Sequence, residues 1–226
     1  MARKPANTDL KLPMPIWDLP TRLFHWLLPT LIATSYISVK TNHMTIHLVS
    51  GYSMGALLIF RLAWGFLGSD TSRFGQFLKH PLKALQHLAH LHRREPDHVI
   101  GHNEAGGWMV LGLLGLLALQ VLTGLSANDD GAIEGPLVKY VGKEMSNRLS
   151  SLHGLNFKLI MLAASLHVLA VILYAVLKGQ NLLRPMITGR KHLPAATPAP
   201  RMVHPVAALV VLGIAIIIMA AVATIV

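Results

Sequence analysis

The chain has 226 residues, 53% of them hydrophobic and only 13% charged, with a mean hydropathy of +0.50, whereas a soluble domain carries about 25% charged residues. There is no cysteine, which excludes disulfides, thiolate-held iron–sulfur clusters and covalent haem attachment. The formal charge of +10 falls almost wholly in alternate loops, a mark of membrane topology rather than of a nucleic-acid partner.

In chain order, segment 1–21 holds Pro5, Pro13, Pro15 and Pro20 and no apolar run, so it is not expected to act as a secretory signal. Five apolar stretches then reach the ~20 residues needed to span a bilayer: 22–40, 46–67, 105–127, 150–177 and 204–226. Residues 22–177 are predicted to form a four-helix transmembrane bundle in an all-α integral membrane protein. Residues 178–203 form a basic linker, and 204–226 a fifth, uncharged transmembrane helix that reads as lipid-facing and without chemistry.

The loop 68–102 is rich in histidine (His80, His87, His90, His92, His98), and its His87, His90 and His92 have metal-like spacing. Without cysteine or a structured carboxylate nearby it reads as a solvated loop. Lys and Arg crowd the N-terminal segment, the loop 68–102 and the linker, whereas Lys40, Lys139, Lys143 and Arg148 stand nearly alone on the other side. The N-terminus is therefore expected in the cytoplasm and the C-terminus outside.

Ionisable residues inside spans are costly and point to function. His25 lies near the cytoplasmic start of helix one, His47 at the external start of helix two, and His153 and His167 share helix four. Fourteen residues make nearly four whole turns, so His153 and His167 share one face, ~21 Å apart along the axis. That offers one imidazole to each leaflet. By depth, His25 pairs with His167 and His47 with His153. Neutral imidazole is a good iron ligand, and the pattern predicts two bis-histidine haems b, one above the other. Paired ligands on each iron favour electron transfer over oxygen binding. A metal-ion transporter or histidine-based sensor would explain histidines in spans but not their pairing by depth.

The sequence resembles the prokaryotic cytochrome b561 family, which includes the cytochrome b subunits of nickel–iron hydrogenases. The resemblance covers roughly residues 15–192. It rests on Trp17-Asp18-Leu19-Pro20-Thr21-Arg22-Leu23-Phe24-His25-Trp26, on Arg61-Leu62-Ala63-Trp64-Gly65-Phe66, on Gly101-His102-Asn103-Glu104-Ala105-Gly106-Gly107, on His153 to His167, and on Asn181 to Lys191. It departs from the family's common pattern at Glu104, where proline is frequent, and at Gly154, where an acidic residue often follows the histidine. The resemblance implies a bacterial inner-membrane four-helix bundle with two bis-histidine haems in the same pairing, and quinone as substrate or exchangeable ligand.

Arg22 and Arg61 are candidates to meet the propionates of the inner haem, against ordinary positive-inside anchoring. Lys158, two turns inside helix four, could meet an outer propionate, line a wet cavity or snorkel to the interface. His102 and Asn103 are candidates for a quinone site near His25 and His167, with Asn103 equally suited to capping the helix that follows. Trp17, Trp26, Trp64 and Trp108 suit an interfacial belt.

The leading reading is a cytochrome b carrying electrons across the bilayer between a periplasmic redox partner (hydrogenase subunit, dehydrogenase or cytochrome c) and the quinone pool. It would be a subunit of an oxidoreductase complex rather than a stand-alone enzyme. The alternative is a self-sufficient superoxide:quinone oxidoreductase of the same fold, with Lys139, Lys143, Arg148 and Lys158 steering the anion. Oligomeric state, including a homo-oligomer, is left open.

Overall fold

The structure is a computed structural model that describes residues 11–89, 99–129 and 133–225. Its elements are β1 (Lys11–Pro15), α1 (Leu19–Lys40), α2 (Met44–Leu67), a 3-10 turn (Asp70–Ser72), α3 (Phe74–Phe77), α4 (Pro81–Ala89), α5 (Glu104–Leu125), α6 (Val138–Val141), α7 (Lys143–Leu177), α8 (Leu183–Thr188), β2 (Arg190–Pro194) and α9 (Pro205–Ala223).

Helix starts follow local chemistry. Asp18 caps α1 by accepting from Thr21 N at 2.8 Å, with Pro20 in the first turn. Asn103 caps α5 by accepting from Gly106 N at 2.7 Å. Pro205 opens α9, where the His204 side chain accepts from Val206 N. Inside α1, Pro29 has no N–H to give to the carbonyl of His25, four residues back.

α2, α5, α7 and α9 are long and apolar enough to cross a membrane. α1 has 22 residues but more polar ones, among them Arg22, His25, Ser35, Ser38 and Lys40, and does not reach the same apolarity. α1 packs along α2, α5 along α7, and α2 joins the two pairs through α5, while α1 and α7 have no extended close backbone contact. The core where the pairs meet includes Phe24, Leu57, Phe60, Leu114, Leu117 and Ile160.

Three features depart from the sequence reading. α7 begins at Lys143, seven residues before the apolar stretch, because its polar first turns continue the helix beyond the apolar region. α9 is not simply lipid-facing: Ala208, Ala215 and Met219 are buried, and the helix packs along α2. Gly55 makes that contact possible, since a Cβ there would lie 2.8 Å from Met219 Sδ. The opposite face of α9, including Leu209, Ile214 and Ile217, is exposed.

The third departure is that the molecule is not all-α. β1 and β2 pair antiparallel, Lys11 opposite Pro194 and Pro15 opposite Arg190, so the N-terminal segment is clasped to the linker after α7. Prolines on both strands hid this pairing, yet a two-stranded sheet has only edge strands, where proline is tolerated. Ile16 N and Trp17 N extend the clasp by donating to Gly189 O at 2.8 and 3.1 Å. Gly189 ends α8 with φ +79°, a conformation that favours glycine.

Candidate functional site

The gap between the α1–α2 pair and the α5–α7 pair holds two histidine pairs. Near the end of the bundle away from the sheet, His47 on α2 and His153 on α7 face each other with ring centres 6.2 Å apart and planes at 80°. Toward the sheet, His25 on α1 and His167 on α7 face each other with centres 6.3 Å apart and planes at 60°. An imidazole nitrogen lies roughly 1.1 Å from its ring centre and bonds a metal at about 2.0 Å, so two imidazoles on opposite sides of one metal have centres about 6.2 Å apart. Both pairs fit that spacing.

The pair far from the sheet lies in the wall of a cavity of about 290 Å³, bounded by α1, α2, α5 and α7. His47 is held through Nδ1, 2.9 Å from Ser35 Oγ and 3.2 Å from Ser35 O. His153 is held in the same way, with Nδ1 3.0 Å from Gln120 O and 3.2 Å from Thr123 Oγ1. A carbonyl can only accept, so each Nδ1 carries the proton and each Nε2 has the lone pair; at His153 the Gln120 amide nitrogen lies 3.0 Å from that lone pair and would have to move aside for a metal to bond there. Gly124 lets the ring of His153 lie against α5, since a Cβ at that position would come within 2.8 Å of His153 Cε1. Tyr36 and Phe157 stack at 5.3 Å and bridge α1 to α7 beside the cavity.

His25 and His167 in the other pair are half-buried. His25 Nδ1 is enclosed without a hydrogen-bond partner. His102 sits between Trp17 and Phe77, with ring centres 4.7 and 4.8 Å away, and its Nδ1 is likewise buried without a partner. Burial, reinforced by Arg61, His167 and His25, pushes the His102 pKa down to about 3, so its ring is neutral. Arg61 is 3% exposed, donates from Nη1 to Ser72 O at 3.2 Å and lies over the Phe74 ring at 5.1 Å.

A family model described as prokaryotic cytochrome b561 matches residues 16–189. The chain belongs to the prokaryotic cytochrome b561 family. No curated protein and no solved structure matches it. Membership in this cytochrome family implies haem b binding and electron transfer, and with four apolar helices it makes the chain a multi-pass membrane protein.

Other sequence candidates in this cytochrome fall differently. Arg22 gives Nη1 to the carbonyl of Ile187 in α8, while its Nε is buried without a partner. Asn103 is engaged at both ends of its amide, capping α5 and donating from Nδ2 to Tyr174 Oη at 2.8 Å. Lys158 is exposed and does not line the cavity. Five residues after His153 on an α-helix it lies roughly 140° around the axis. The basic side chain in the cavity wall is instead Lys40.

Trp64 is fully buried and donates to Asp18 Oδ2 at 3.0 Å, and Trp17 is 8% exposed, so neither belongs to an interfacial belt. His80 is described and accepts only a long bond, 3.4 Å, from Leu82 N. His90, His92 and His98, and the side chain of His87, lie outside the described residues. Among the described residues no group of three or more His, Asp or Glu forms a further metal site.

Sequence reasoning missed Ser35, Gln120, Asn156 and Lys40. For Gln120 and Asn156 the signal was available, since amides in otherwise apolar spans are as conspicuous as the histidines.

Proposed function

We propose that this cytochrome binds two haems b, one between His47 and His153 and one between His25 and His167, and carries electrons across the bilayer between a periplasmic redox partner and the quinone pool. The observation that carries the proposal is that one continuous helix, α7, bears both His153 and His167, each opposite a second imidazole at the spacing of a single metal. Haem b supplies reversible one-electron chemistry when bound. The chain supplies the ligands, the helices that fix their depth, and the Ser35 and Gln120 carbonyls that accept from His47 and His153 Nδ1 and so fix their tautomers.

The basic segments fit an orientation with the sheet in the cytoplasm and the Lys40 end at the periplasm. In that orientation His47 and His153 hold the outer haem and His25 and His167 the inner one. Arg61 is the cation placed to meet an inner propionate, and Lys40 an outer one. A quinone head near the inner haem would find the partnerless His102 Nδ1 as a hydrogen-bonding group, with Asn103 shaping the helix start behind it. The segment from α6 into the first turns of α7, which stand on the Lys40 side, is the docking surface for a hydrogenase, dehydrogenase or cytochrome c partner.

The superoxide reading draws less support. Arg148 is paired with Glu144 at 2.7 Å and Lys158 lies off the cavity, which leaves a thin cationic funnel.

The haem-to-protein ratio of the purified chain tests the proposal, with a redox titration. Two haems per chain are expected, and His153→Ala should abolish the outer one alone. A single haem in the parent protein, or both haems surviving in His153→Ala, overturns it. Rapid reduction by superoxide without a partner protein would favour the self-sufficient enzyme.

A further inference from the structure

The segment after α7 is basic and has no acidic counterweight. No Asp or Glu follows Glu144, and residues 178–201 carry Lys178, Arg184, Arg190, Lys191 and Arg201. Lys191 is engaged, giving Nζ to Val99 O at 2.8 Å. Arg184 and Arg190 are exposed, and neither side chain forms an ion pair or hydrogen bond among the described residues.

The β1–β2 clasp sorts these cations by face. Side chains alternate along β2, so Lys191 and Leu193 share one face and Arg190 and His192 the other. Leu193 is fully buried in the small core with Ile16 and Trp17. Arg190 and His192 therefore stand on the outer face, where both are exposed. The pairing of Lys11 with Pro194 puts Lys11 on that face too.

α8 lies at the depth of the first two turns of α1. Its Met186 carbonyl accepts from Trp26 Nε1 at 3.3 Å, and its Ile187 carbonyl accepts from Arg22. Leu183 and Ile187, four residues apart on one helix face, are 49% and 57% exposed. Leu23 and Trp26 of α1 are exposed at the same level. An apolar ridge thus runs along the end of the spans, with unpaired arginines at 184 and 190 beside it. Open to water, the ridge would cost free energy. At a bilayer boundary its leucine and isoleucine enter the acyl region while the arginines reach the phosphates.

We propose that α8 and the outer face of the clasp dock on anionic phospholipid headgroups of the leaflet at the sheet end, with Arg184 and Arg190 meeting the phosphates. Charge complementarity selects this occupant. Arginine pairs with phosphate through two parallel hydrogen bonds, and an anionic lipid adds no cation of its own, as a zwitterionic one does. An acidic protein partner would satisfy the arginines but not the ridge. The proposal rests neither on the haem ligands nor on the direction of electron flow.

The test uses the purified full-length protein in nanodiscs of phosphatidylcholine mixed with phosphatidylglycerol, with native mass spectrometry counting the lipids that stay bound. Phosphatidylglycerol should be retained in excess of its share of the bilayer. Arg184→Gln and Arg190→Gln should each reduce that excess about fivefold, the equivalent of ~1 kcal/mol for one cation near an anionic surface. Arg148→Gln should leave it unchanged, since Arg148 lies at the other end of the bundle and is paired with Glu144 at 2.7 Å. Retention at the bulk share in the parent protein, an excess that survives in the double variant, or an equal loss in Arg148→Gln overturns the proposal. A second measurement reads the ridge. The chain has no cysteine, so Ile187→Cys and Arg190→Cys each carry a single thiol. In the same nanodiscs a water-soluble maleimide should label position 190 several-fold faster than position 187, and equal rates overturn the proposal.

Discussion

His25 on α1 and His167 on α7 face each other with ring centres 6.3 Å apart although their helices have no extended close contact. The separation is built by the rest of the bundle. α1 is fixed by packing on α2, and α7 by packing on α5, so the histidine faces look across a gap rather than into a helix–helix seam. A direct seam would bring helix axes to 8–10 Å, too close for a macrocycle to stand between them. The chain thus spends its packing on two helix pairs and leaves the space between them for a cofactor.

The ring planes give a spectroscopic prediction. The planes stand at 60° in one pair and 80° in the other. Parallel imidazoles split the two iron orbitals that overlap with ligand π systems, whereas strongly rotated ones leave them nearly equal in energy. With a haem held by each pair, as proposed, the oxidised protein should therefore give two highly anisotropic low-spin electron paramagnetic resonance signals, axial ligation being one of the protein's levers on haem electronics. Two well-resolved rhombic signals of modest spread would contradict the ring arrangement.

Much of this arrangement was legible in the sequence. The interval from His153 to His167 is nearly a whole number of helical turns, and alternation of helix direction assigns each a partner by depth. What was not legible depends on angles around helices and on partners distant in sequence. Lys158 and Lys40 are both exposed, and only the rotation about α7 turns Lys158 away from the cavity that Lys40 lines. Trp64 reads as interfacial until Asp18, 46 residues earlier, is seen to accept its N–H. The β1–β2 clasp joins segments nearly 180 residues apart through proline-bearing strands whose pattern announces no sheet.

Gly124 is the position most sensitive to a small addition. A Cβ there meets His153 Cε1 at 2.8 Å, and that ring is already held by Gln120 and Thr123. Gly124→Val should displace the ring, cost roughly 1–3 kcal/mol of stability as overpacking does, and deplete the outer haem while sparing the inner. Gly115→Ala, with nothing within 4 Å on the same helix, serves as the control and should retain both haems. Equal haem content in the two variants would show that the ring is not constrained as described.

The two lysines should behave differently. Lys40 lines the outer cavity and Lys158 does not. A unit charge ~10 Å from a redox centre at an effective dielectric of ~20 contributes under ~2 kcal/mol. Lys40→Ala should thus lower the outer haem potential by roughly tens of millivolts, where about 59 mV is a tenfold change for one electron. Lys158→Ala should leave it where it was. A larger shift from Lys158→Ala would reverse the assignment and favour, among the options the sequence left open for Lys158, contact with an outer propionate.

Asp18 ties the start of α1 to the end of α2. It is 8% exposed and accepts from Thr21 N, Trp64 Nε1 and Ser72 Oγ. Burial alone would raise its pKa, but the hydrogen bonds it accepts, those from Thr21 and Trp64 among them, outweigh burial and hold it below the ordinary carboxylate value. A group depressed in the folded state stabilises it fully above its unfolded pKa of ~3.9 and loses that contribution as pH falls through the lower folded value. Asp18→Asn removes the charge and one acceptor, and should cost roughly 1.5–3 kcal/mol at neutral pH, the range for hydrogen bonds to a charged group. Because Arg61 lies within electrostatic reach of Asp18, the variant should also perturb the inner haem more than the outer. Thermal unfolding of both proteins in detergent from pH 7 downward should show the gap between them closing only below about pH 4. A gap that closes between pH 7 and 5 would assign the effect to another group, and a gap that never closes would mean that Asp18 acts by shape rather than by charge.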